Sequence, residues 1–159
     1  MTPQTVIGID PGLTGAIAAV DADTGALLHV SDMPVYDGCV DAIAVAELLE
    51  AENVAAVWLE VAQTRPGQGA PGVLRMGRNY GVLIGTIGAL RLPLHHVTAA
   101  VWKRRIGVGA DKETSLRRAR ELWPLHAHEF ARKRDDGRAE AALIAVYGLA
   151  AWRGGEVAA

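Results

Sequence analysis

The predicted architecture follows from the segment Val6-Ile7-Gly8-Ile9-Asp10-Pro11-Gly12-Leu13-Thr14-Gly15. An apolar run ends in a carboxylate, passes through Pro-Gly and Thr-Gly, and leads into a second apolar run at residues 16–20. This pattern predicts a strand, a tight turn and an antiparallel strand. Asp10 is unusual, because a buried carboxylate costs several kcal/mol unless it is paired or bound to a cation. The simpler interpretation is that Asp10 stabilises its own turn as an Asx residue.

The composition is that of a small domain. The chain has 159 residues, 50% of them hydrophobic, so we expect a single α/β domain over residues 1–159. Its single cysteine, Cys39, excludes an internal disulfide and is typical of a reducing compartment. The chain does not open on a signal pattern, and no run reaches the ~20 apolar residues of a membrane span. We therefore expect a soluble, cytoplasmic protein that makes no membrane contact.

Charge is distributed unevenly along the chain. Residues 1–90 carry three basic and ten acidic side chains, a balance of −7, whereas residues 91–138 carry twelve basic and six acidic ones, a balance of +6. A basic block in an otherwise acidic protein indicates a surface for a polyanion. A solvated helical face is the alternative explanation.

The first half of the chain predicts a β-β-β-α-β order. Apolar runs predict four strands, at residues 6–10, 16–21, 26–33 and 54–59. Residues 40–51 have the apolar spacing of an amphipathic helix, and Asp23-Thr24-Gly25 is a hairpin turn signal. Three antiparallel strands, a helix and a strand beside the first one predict a mixed sheet.

The second half is mainly helical. We predict helices at residues 73–90, 99–106 and 114–122, a short strand at 92–97 and a buried helix after Gly137. Two tryptophans flank the basic block and either belong to the core, the favoured interpretation, or stack on bases; they are Trp102 and Trp123. Four histidines lack zinc-like spacing and are interpreted as ordinary polar residues, namely His95, His96, His126 and His128.

The helix at 73–90 carries four glycines three or four residues apart, Gly77, Gly81, Gly85 and Gly88. Because each glycine costs a helix roughly 1 kcal/mol relative to alanine, their shared face indicates close backbone approach. Packing across the sheet is one explanation, and a dimer interface is the other.

Glu60 repeats the pattern of Asp10, because it too follows an apolar strand. The segment 61–72 after it is rich in Gln, Arg, Pro and Gly, which predicts a loop at the strand end, where sites often lie. Its polar side chains either reach a substrate or simply solvate the loop; they are Gln63, Arg65 and Gln68.

A third group of acids opens the last helix. Asp135 or Asp136 is explained as a cap at a helix N-terminus, which favours negative charge. Glu140 lies four residues after Asp136 on an otherwise apolar helix, so the two carboxylates can converge on one side. Capping explains one acid but does not explain Glu140.

Together these acids predict a metal site. Asp10, Glu60, Asp136 and Glu140 would repel one another without cations, and oxygen-only ligands suit Mg²⁺ or Mn²⁺. Two such ions roughly 4 Å apart stabilise the attacking and leaving oxygens of a phosphodiester displacement. The basic block would then hold the phosphate backbone.

These residues resemble the RuvC-type Holliday junction resolvases. The resemblance lies in Ile7-Gly8-Ile9-Asp10-Pro11-Gly12, in Leu59-Glu60, and in the acids that open the last helix. It is closer to the phage-like and organellar branch, which shares Asp-Gly-Arg-Ala-Glu-Ala followed by Leu-Ile-Ala-x-Tyr-Gly. A bacterial source and a phage source both stay open. Trp102-Lys103, Lys112 and Trp123-Pro124 extend the resemblance over almost the whole chain.

The resemblance implies an α/β protein with an RNase H-like fold: a mixed five-stranded sheet, its first three strands antiparallel, with helices on both faces. It also implies a homodimer, possible here through the helix of Gly77, Gly81 and Gly85, two Mg²⁺ per active site with Mn²⁺ as substitute, and no organic cofactor. The implied metal ligands are Asp10, Glu60, Asp136 and Glu140. The bacterial type usually has Asp three residues after its partner, whereas this chain has Glu at a spacing of four. The choice between Asp135 and Asp136 therefore stays open.

The hypothesis is a metal-dependent endonuclease acting on four-way or branched DNA, in which an activated water attacks a phosphate in line. The resemblance implies paired nicks that leave a 5′-phosphate. The expected backbone contacts are Lys103, Arg104, Arg105, Lys112, Arg117 and Arg118, with Lys133 and Arg134 at the cleaved strand. A non-catalytic branched-DNA-binding protein and a nuclease for RNA–DNA hybrids are alternatives. An actin-like ATPase shares the Asp-Pro-Gly turn but needs a second phosphate-binding half.

Overall fold

The structure is a computed structural model that describes residues 3–154. The single-domain prediction over 1–159 extends beyond it, because residues 1–2 and 155–159 lie outside the described part. The strands are β1 Gln4–Asp10, β2 Ala16–Asp21, β3 Leu27–Asp32, β4 Val35–Tyr36, β5 Cys39–Val40, β6 Asn53–Glu60 and β7 Leu94–Val97. The helices are α1 Ala42–Glu50, α2 Ala70–Ala89, α3 Ala99–Ile106, α4 Lys112–Leu122 and α5 Asp136–Gly154, with 3₁₀ turns at Pro124–Phe130 and Lys133–Asp135.

Five strands form one mixed sheet in the order β3-β2-β1-β6-β7. β2 pairs antiparallel with both β1 and β3, whereas β6 is parallel to β1 and β7 is parallel to β6. The predicted antiparallel meander, with the fourth strand beside the first, is confirmed. None of the helices within residues 3–154 is both long and apolar enough to cross a membrane.

Alternation along β1 divides the core into two layers. Val6 lies in the cluster that contains α3, α4 and α5, and Gly8 contacts α5 directly. Ile7 and Ile9 point to the other face, where α1 and α2 cover them. The predicted helices on both faces of the sheet are confirmed, and the even-numbered positions of β1 are those that face α5.

Two glycines let α5 lie directly on the sheet. A Cβ added at Gly8 would stand 2.2 Å from the carbonyl oxygen of Ala141, and one at Gly148 would stand 2.1 Å from Trp58. Both distances are far inside van der Waals contact, so any larger residue would push the helix away. α5 is covered by the sheet below and by α3 and α4 above, which explains its apolar sequence.

The element boundaries differ from the predictions where turns compete with regular structure. α2 begins at Ala70 rather than 73, because Pro71 is suited to a first helical turn. α1 begins at Ala42, because Val40 pairs with Val35 in a two-residue hairpin that the sequence analysis missed. α4 begins two residues earlier than predicted, at Lys112, after the side chain of Asp111 caps it.

The glycine face of α2 does not pack across the sheet, so that explanation is wrong. A Cβ added at Gly77, Gly81, Gly85 or Gly88 would meet nothing within 4 Å. The buried residues of α2 lie on its opposite side. The glycines therefore form an exposed stripe, which leaves the dimer interpretation as a prediction. Trp102 and Trp123, in contrast, are buried core residues as predicted.

Candidate active site

Asp10 and Glu60 are neighbours because parallel strands end side by side. Each is the last residue of its strand, β1 and β6, and the residues before them, Ile9 and Leu59, are direct partners in the sheet. Side chains two residues apart on a strand point to the same face of the sheet. Asp10 therefore shares a face with Gly8, and Glu60 shares a face with Trp58, and this is the face that α5 covers.

The start of α5 brings two further acids to this point. Gly137 fits against the turn after β1, since a Cβ there would stand 2.6 Å from the carbonyl oxygen of Thr14. Burial, with Glu140 and Glu60 next in effect and Asp136 last, raises the pKa of Asp10 to about 7. Burial and the neighbouring carboxylates together therefore disfavour the ionised form of Asp10.

Asp10 also makes the contact that the simpler interpretation predicts. The Gly12 N–H donates to Asp10 Oδ1 at 3.3 Å, which is an Asx-type turn and opposes the rise in pKa. The two interpretations of Asp10 are therefore compatible. One oxygen supports the turn, while the side chain also belongs to an acid cluster, which consists of Asp10, Glu60, Asp136 and Glu140.

Glu60 is held from α3. The indole Nε1–H of Trp102 donates to Glu60 Oε2 at 2.5 Å. Burial raises the pKa of Glu60, the hydrogen bond from Trp102 opposes that rise, and Glu140 adds to it. This contact was not predicted, although Trp102 was placed in the core.

Two lysines neutralise the acids of α5. Lys103 Nζ lies 2.7 Å from Glu140 Oε1, and the Lys112 ammonium contacts Asp136 Oδ2 directly. Within residues 3–154, no three acids, histidines or cysteines lie close enough together to form a ready group for a metal ion. The lysine nitrogens thus provide the positive charge beside a cluster of oxygen donors.

The structure distinguishes the roles of Asp135 and Asp136. Asp135 is 2% exposed and receives three bonds from the Arg132 guanidinium, at 2.7, 3.0 and 3.2 Å. It also accepts the Arg132 backbone N–H at 2.7 Å. These bonds hold the pKa of Asp135 below its usual value against the effect of burial. Asp135 therefore caps the turn before α5, while Asp136 faces Lys112 and influences Asp10.

A second arginine fixes α5 from the side. Arg138 Nε donates to Asp32 Oδ1 at 2.6 Å, and Arg138 Nη1 donates to Glu129 Oε2 at 2.8 Å. It thereby ties the first turn of α5 to the end of β3 and to the 3₁₀ turn before it. The sequence contained Arg138 in the motif Asp-Gly-Arg-Ala-Glu, but gave no indication of its partners.

Three of the predicted acids, Asp10, Glu60 and Glu140, line a cleft of about 800 Å³, whereas Asp136 does not line it. Its walls also include the two lysines of the preceding ion pairs and the loop after β6. The loop side chains proposed from sequence lie in this wall: Gln63, Arg65 and Gln68. Gln68 Oε1 also accepts the Arg65 N–H at 3.0 Å, so it helps to shape the loop itself.

α2 contributes three polar cleft residues that sequence analysis missed, namely Arg75, Asn79 and Tyr80. Asn79 Oδ1 accepts the Val40 N–H at 3.1 Å and so anchors the small hairpin. The Tyr80 hydroxyl lies 3.0 Å from His96 Nδ1, and burial, with Glu60 second, raises the pKa of Tyr80. These three residues lie on the face of α2 that turns toward the loop, and only the tertiary structure shows which face that is.

The remaining basic residues lie outside the acid cluster. Arg104 and Arg105 are exposed on α3, and Lys133 and Arg134 are exposed just before α5. Arg117 and Arg118 line a separate depression of about 330 Å³, where both approach Glu121 at 3.9 and 3.3 Å.

The architecture and the acid cluster at the ends of β1 and β6 define an α/β domain with the RNase H-like fold. Solved structures with this fold bear out the resemblance over nearly the whole chain. RuvC of Thermus thermophilus, in complex with a Holliday junction substrate, superposes with a TM-score of 0.73 at 21% identity, covering 96% of each chain. A second Thermus thermophilus RuvC structure gives 0.68 at 21% identity, covering 94% of this chain and 96% of that one.

The yeast mitochondrial Holliday junction resolvase Ydc2 also shares the fold. It superposes with a TM-score of 0.56 at 17% identity, covering 97% of this chain and 84% of its own. No protein-family model matches the sequence, and comparison with curated proteins finds no match either. At these identities the likeness establishes the fold, and the site must supply the argument for function.

Proposed function

We propose that this protein is a divalent-metal-dependent endonuclease that resolves four-way DNA junctions. The observation that carries the proposal is the meeting of Asp10, Glu60 and Glu140 in one cleft, from three separate elements of a fold shared with RuvC. Bringing several half-buried carboxylates together is unfavourable for stability alone, so their convergence indicates a function. We place the enzyme in the cytoplasm, a reducing compartment suited to Cys39.

The donor set fits a hard divalent cation. All the candidate ligands are carboxylate oxygens, the donors that Mg²⁺ prefers. Burial, followed by the charges of Glu140 and Glu60, raises the pKa of Asp10. Mg²⁺ would be held by Asp10, Glu60, Asp136 and Glu140, with Mn²⁺ as a substitute and two ions per site. Bound ions would stabilise the attacking and leaving oxygens of phosphodiester hydrolysis.

The chain's own residues would bind and orient the DNA. Lys103 and Lys112 line the cleft beside the acids, so they are placed to contact a phosphate once the acids take another partner. The exposed arginines of α3 and α4 extend positive charge outward from the cleft, where it would hold the backbone. Gln63 and Arg65, in the loop wall, are placed to reach bases near the cut.

Paired nicks require two active sites, and the α2 stripe is the surface that we assign to the dimer. The stripe consists of glycines, which have no side chains. It continues into two apolar residues, Leu74, which is 75% exposed, and Ile84, which is 37% exposed. Glycines allow two backbones to approach closely, and a two-fold axis would pair the stripe with itself.

A cleavage assay tests the proposal. The wild-type protein is given a fixed four-way junction, the matching linear duplex and an RNA–DNA hybrid, each with Mg²⁺ and again with EDTA. We expect cuts in the junction only, and none in EDTA. Binding without cuts would indicate a non-catalytic DNA-binding protein, and preferential cutting of the hybrid would indicate an RNase H-type enzyme.

A further inference from the structure

Trp102 combines complete burial with a direct bond to a cleft carboxylate. Its exposure is 0%, it lies on α3 within the core, and its Nε1–H is 2.5 Å from Glu60 Oε2. This is the only hydrogen bond that the Glu60 carboxylate makes within residues 3–154. One oxygen is thus engaged by the core, while Glu60 itself lines the cleft.

Other tryptophans of the same core show that this contact is not a general packing requirement. The buried Nε1 of Trp58 has no hydrogen-bond partner within the described part of the chain. Trp123 donates instead to the backbone carbonyl of Gly25 at 3.1 Å. Only Trp102 directs its indole at a carboxylate of the acid cluster.

The hydrogen bond from Trp102 restricts how the Glu60 carboxylate can turn. A glutamate side chain has three rotatable bonds, and a rigid donor on one oxygen fixes the carboxylate plane and therefore the direction of the other oxygen. The next residue on α3, Lys103, contacts Glu140 at 2.7 Å. Consecutive residues of one short helix thus hold carboxylates that arrive from β6 and α5.

We infer that Trp102 is a positioning residue, whose indole N–H orients Glu60 Oε1 toward the cleft for cation binding. The inference rests on the proposed function, because it assumes that Glu60 is a ligand. Residues that orient metal ligands in this way typically contribute 10–100-fold to metal affinity or activity, so we expect about 10-fold here.

The test compares two conservative substitutions, Trp102→Phe and its matched control Trp123→Phe. Both remove one indole N–H from a buried tryptophan of the same core cluster. Mn²⁺ affinity is measured on the full chain by electron paramagnetic resonance, alongside single-turnover junction cleavage and thermal unfolding. We expect W102F to bind Mn²⁺ about 10-fold more weakly than W123F, with a similar change in melting temperature for the two variants.

A double variant shows whether the effect passes through Glu60. On a Glu60→Gln background, W102F should cause no further loss of Mn²⁺ affinity, because the oriented ligand is already gone. If W102F does not fold, 3-benzothienylalanine placed at position 102 keeps the shape of the indole and removes only the N–H, and the same loss is expected.

The outcomes separate the inference from the proposed function. If the wild type and W123F bind Mn²⁺ and cleave junctions, and W102F or the benzothienyl variant matches them, the inference is wrong and the function stands. If the wild type binds no divalent cation, the proposed function fails and the inference fails with it.

Discussion

At the residue scale, Asp10 illustrates how function conflicts with stability. Its half-buried carboxylate lies beside Glu140 and Glu60, and no salt bridge neutralises it within residues 3–154. The folded pKa of about 7 lies above the ordinary value of 3.8, so the folded state loses stability as pH rises through that interval. An ionised Asp10 therefore costs free energy at neutral pH and above.

We expect Asp10→Asn to abolish junction cleavage while DNA binding is unchanged or tighter, because a negative charge is removed beside the phosphate. In EDTA at pH 8 the variant should also have a higher melting temperature than the wild type, since its side chain carries no buried charge. Cleavage and electrophoretic binding assays and thermal unfolding measure these effects. Asp135→Asn is the control: it should lower stability, because its bonds to Arg132 weaken. Residual cutting by the Asp10 variant would show that Asp10 is dispensable.

At the element scale, the position of α5 depends on two glycines and one arginine. Gly8→Ala should destabilise the fold by about 3 kcal/mol or more, because the new Cβ would stand 2.2 Å from backbone of α5. It should also abolish cleavage, since Glu140 moves with the helix. Gly12→Ala, whose Cβ would have its nearest neighbour at 3.5 Å, is the matched control. Urea unfolding measures both, and equal stability of the two variants would contradict the close-packing argument.

Arg138 gives a second test of the same helix. Arg138→Met removes charged bonds to Asp32 and Glu129, and we expect a loss of about 1–2 kcal/mol after allowance for partial exposure. Cleavage should fall more than junction affinity, because the first turn of α5 carries Asp136. Arg118→Met, which loses an exposed bond to Glu121, should cost less than half as much. Urea unfolding and single-turnover cleavage provide the comparison, and equal losses would remove any special role for Arg138.

The sequence predicted elements and strand ends better than it predicted contacts. Asp10 and Glu60 follow apolar strands, and the parity of a β-strand is fixed, so their shared location is readable from the pattern. The ion pairs of Lys103 and Lys112, in contrast, depend on how α3 and α4 cross over α5, and no local signal encodes that crossing. The glycines of α2 were open to two interpretations because spacing alone does not show which face of a helix is covered.

At the scale of the whole molecule, the chain separates its surfaces by role. The carboxylates lie at one end of the sheet, the exposed arginines lie on α3 and α4, and the apolar stripe lies on α2 across the sheet from them. A dimer through this stripe would leave both clefts accessible to DNA. A larger side chain on the stripe would meet nothing within its own chain. A substitution there can therefore weaken the association of two chains without destabilising either one, which makes the dimer testable.

Gly81→Leu should have opposite effects on folding and association. Leucine stabilises a helix relative to glycine by up to about 1 kcal/mol. A Cβ at this position meets nothing within 4 Å, so a single chain should become more stable. Two chains should associate more weakly, because the larger side chain keeps the backbones apart. Sedimentation velocity and urea unfolding measure the two effects. Ala100→Leu, at an exposed position of α3, controls for added apolar surface.

The same variant tests whether association coordinates the two cuts. On a supercoiled plasmid with a cruciform, paired nicks within one binding event give linear product, whereas independent nicks first give an open circle. We expect G81L to shift the product from linear to open circle while the proposed metal site stays intact, because the stripe lies across the sheet from the acids. A wild-type protein that sediments as a monomer, yet still gives linear product directly, would show that α2 is not the coordinating surface.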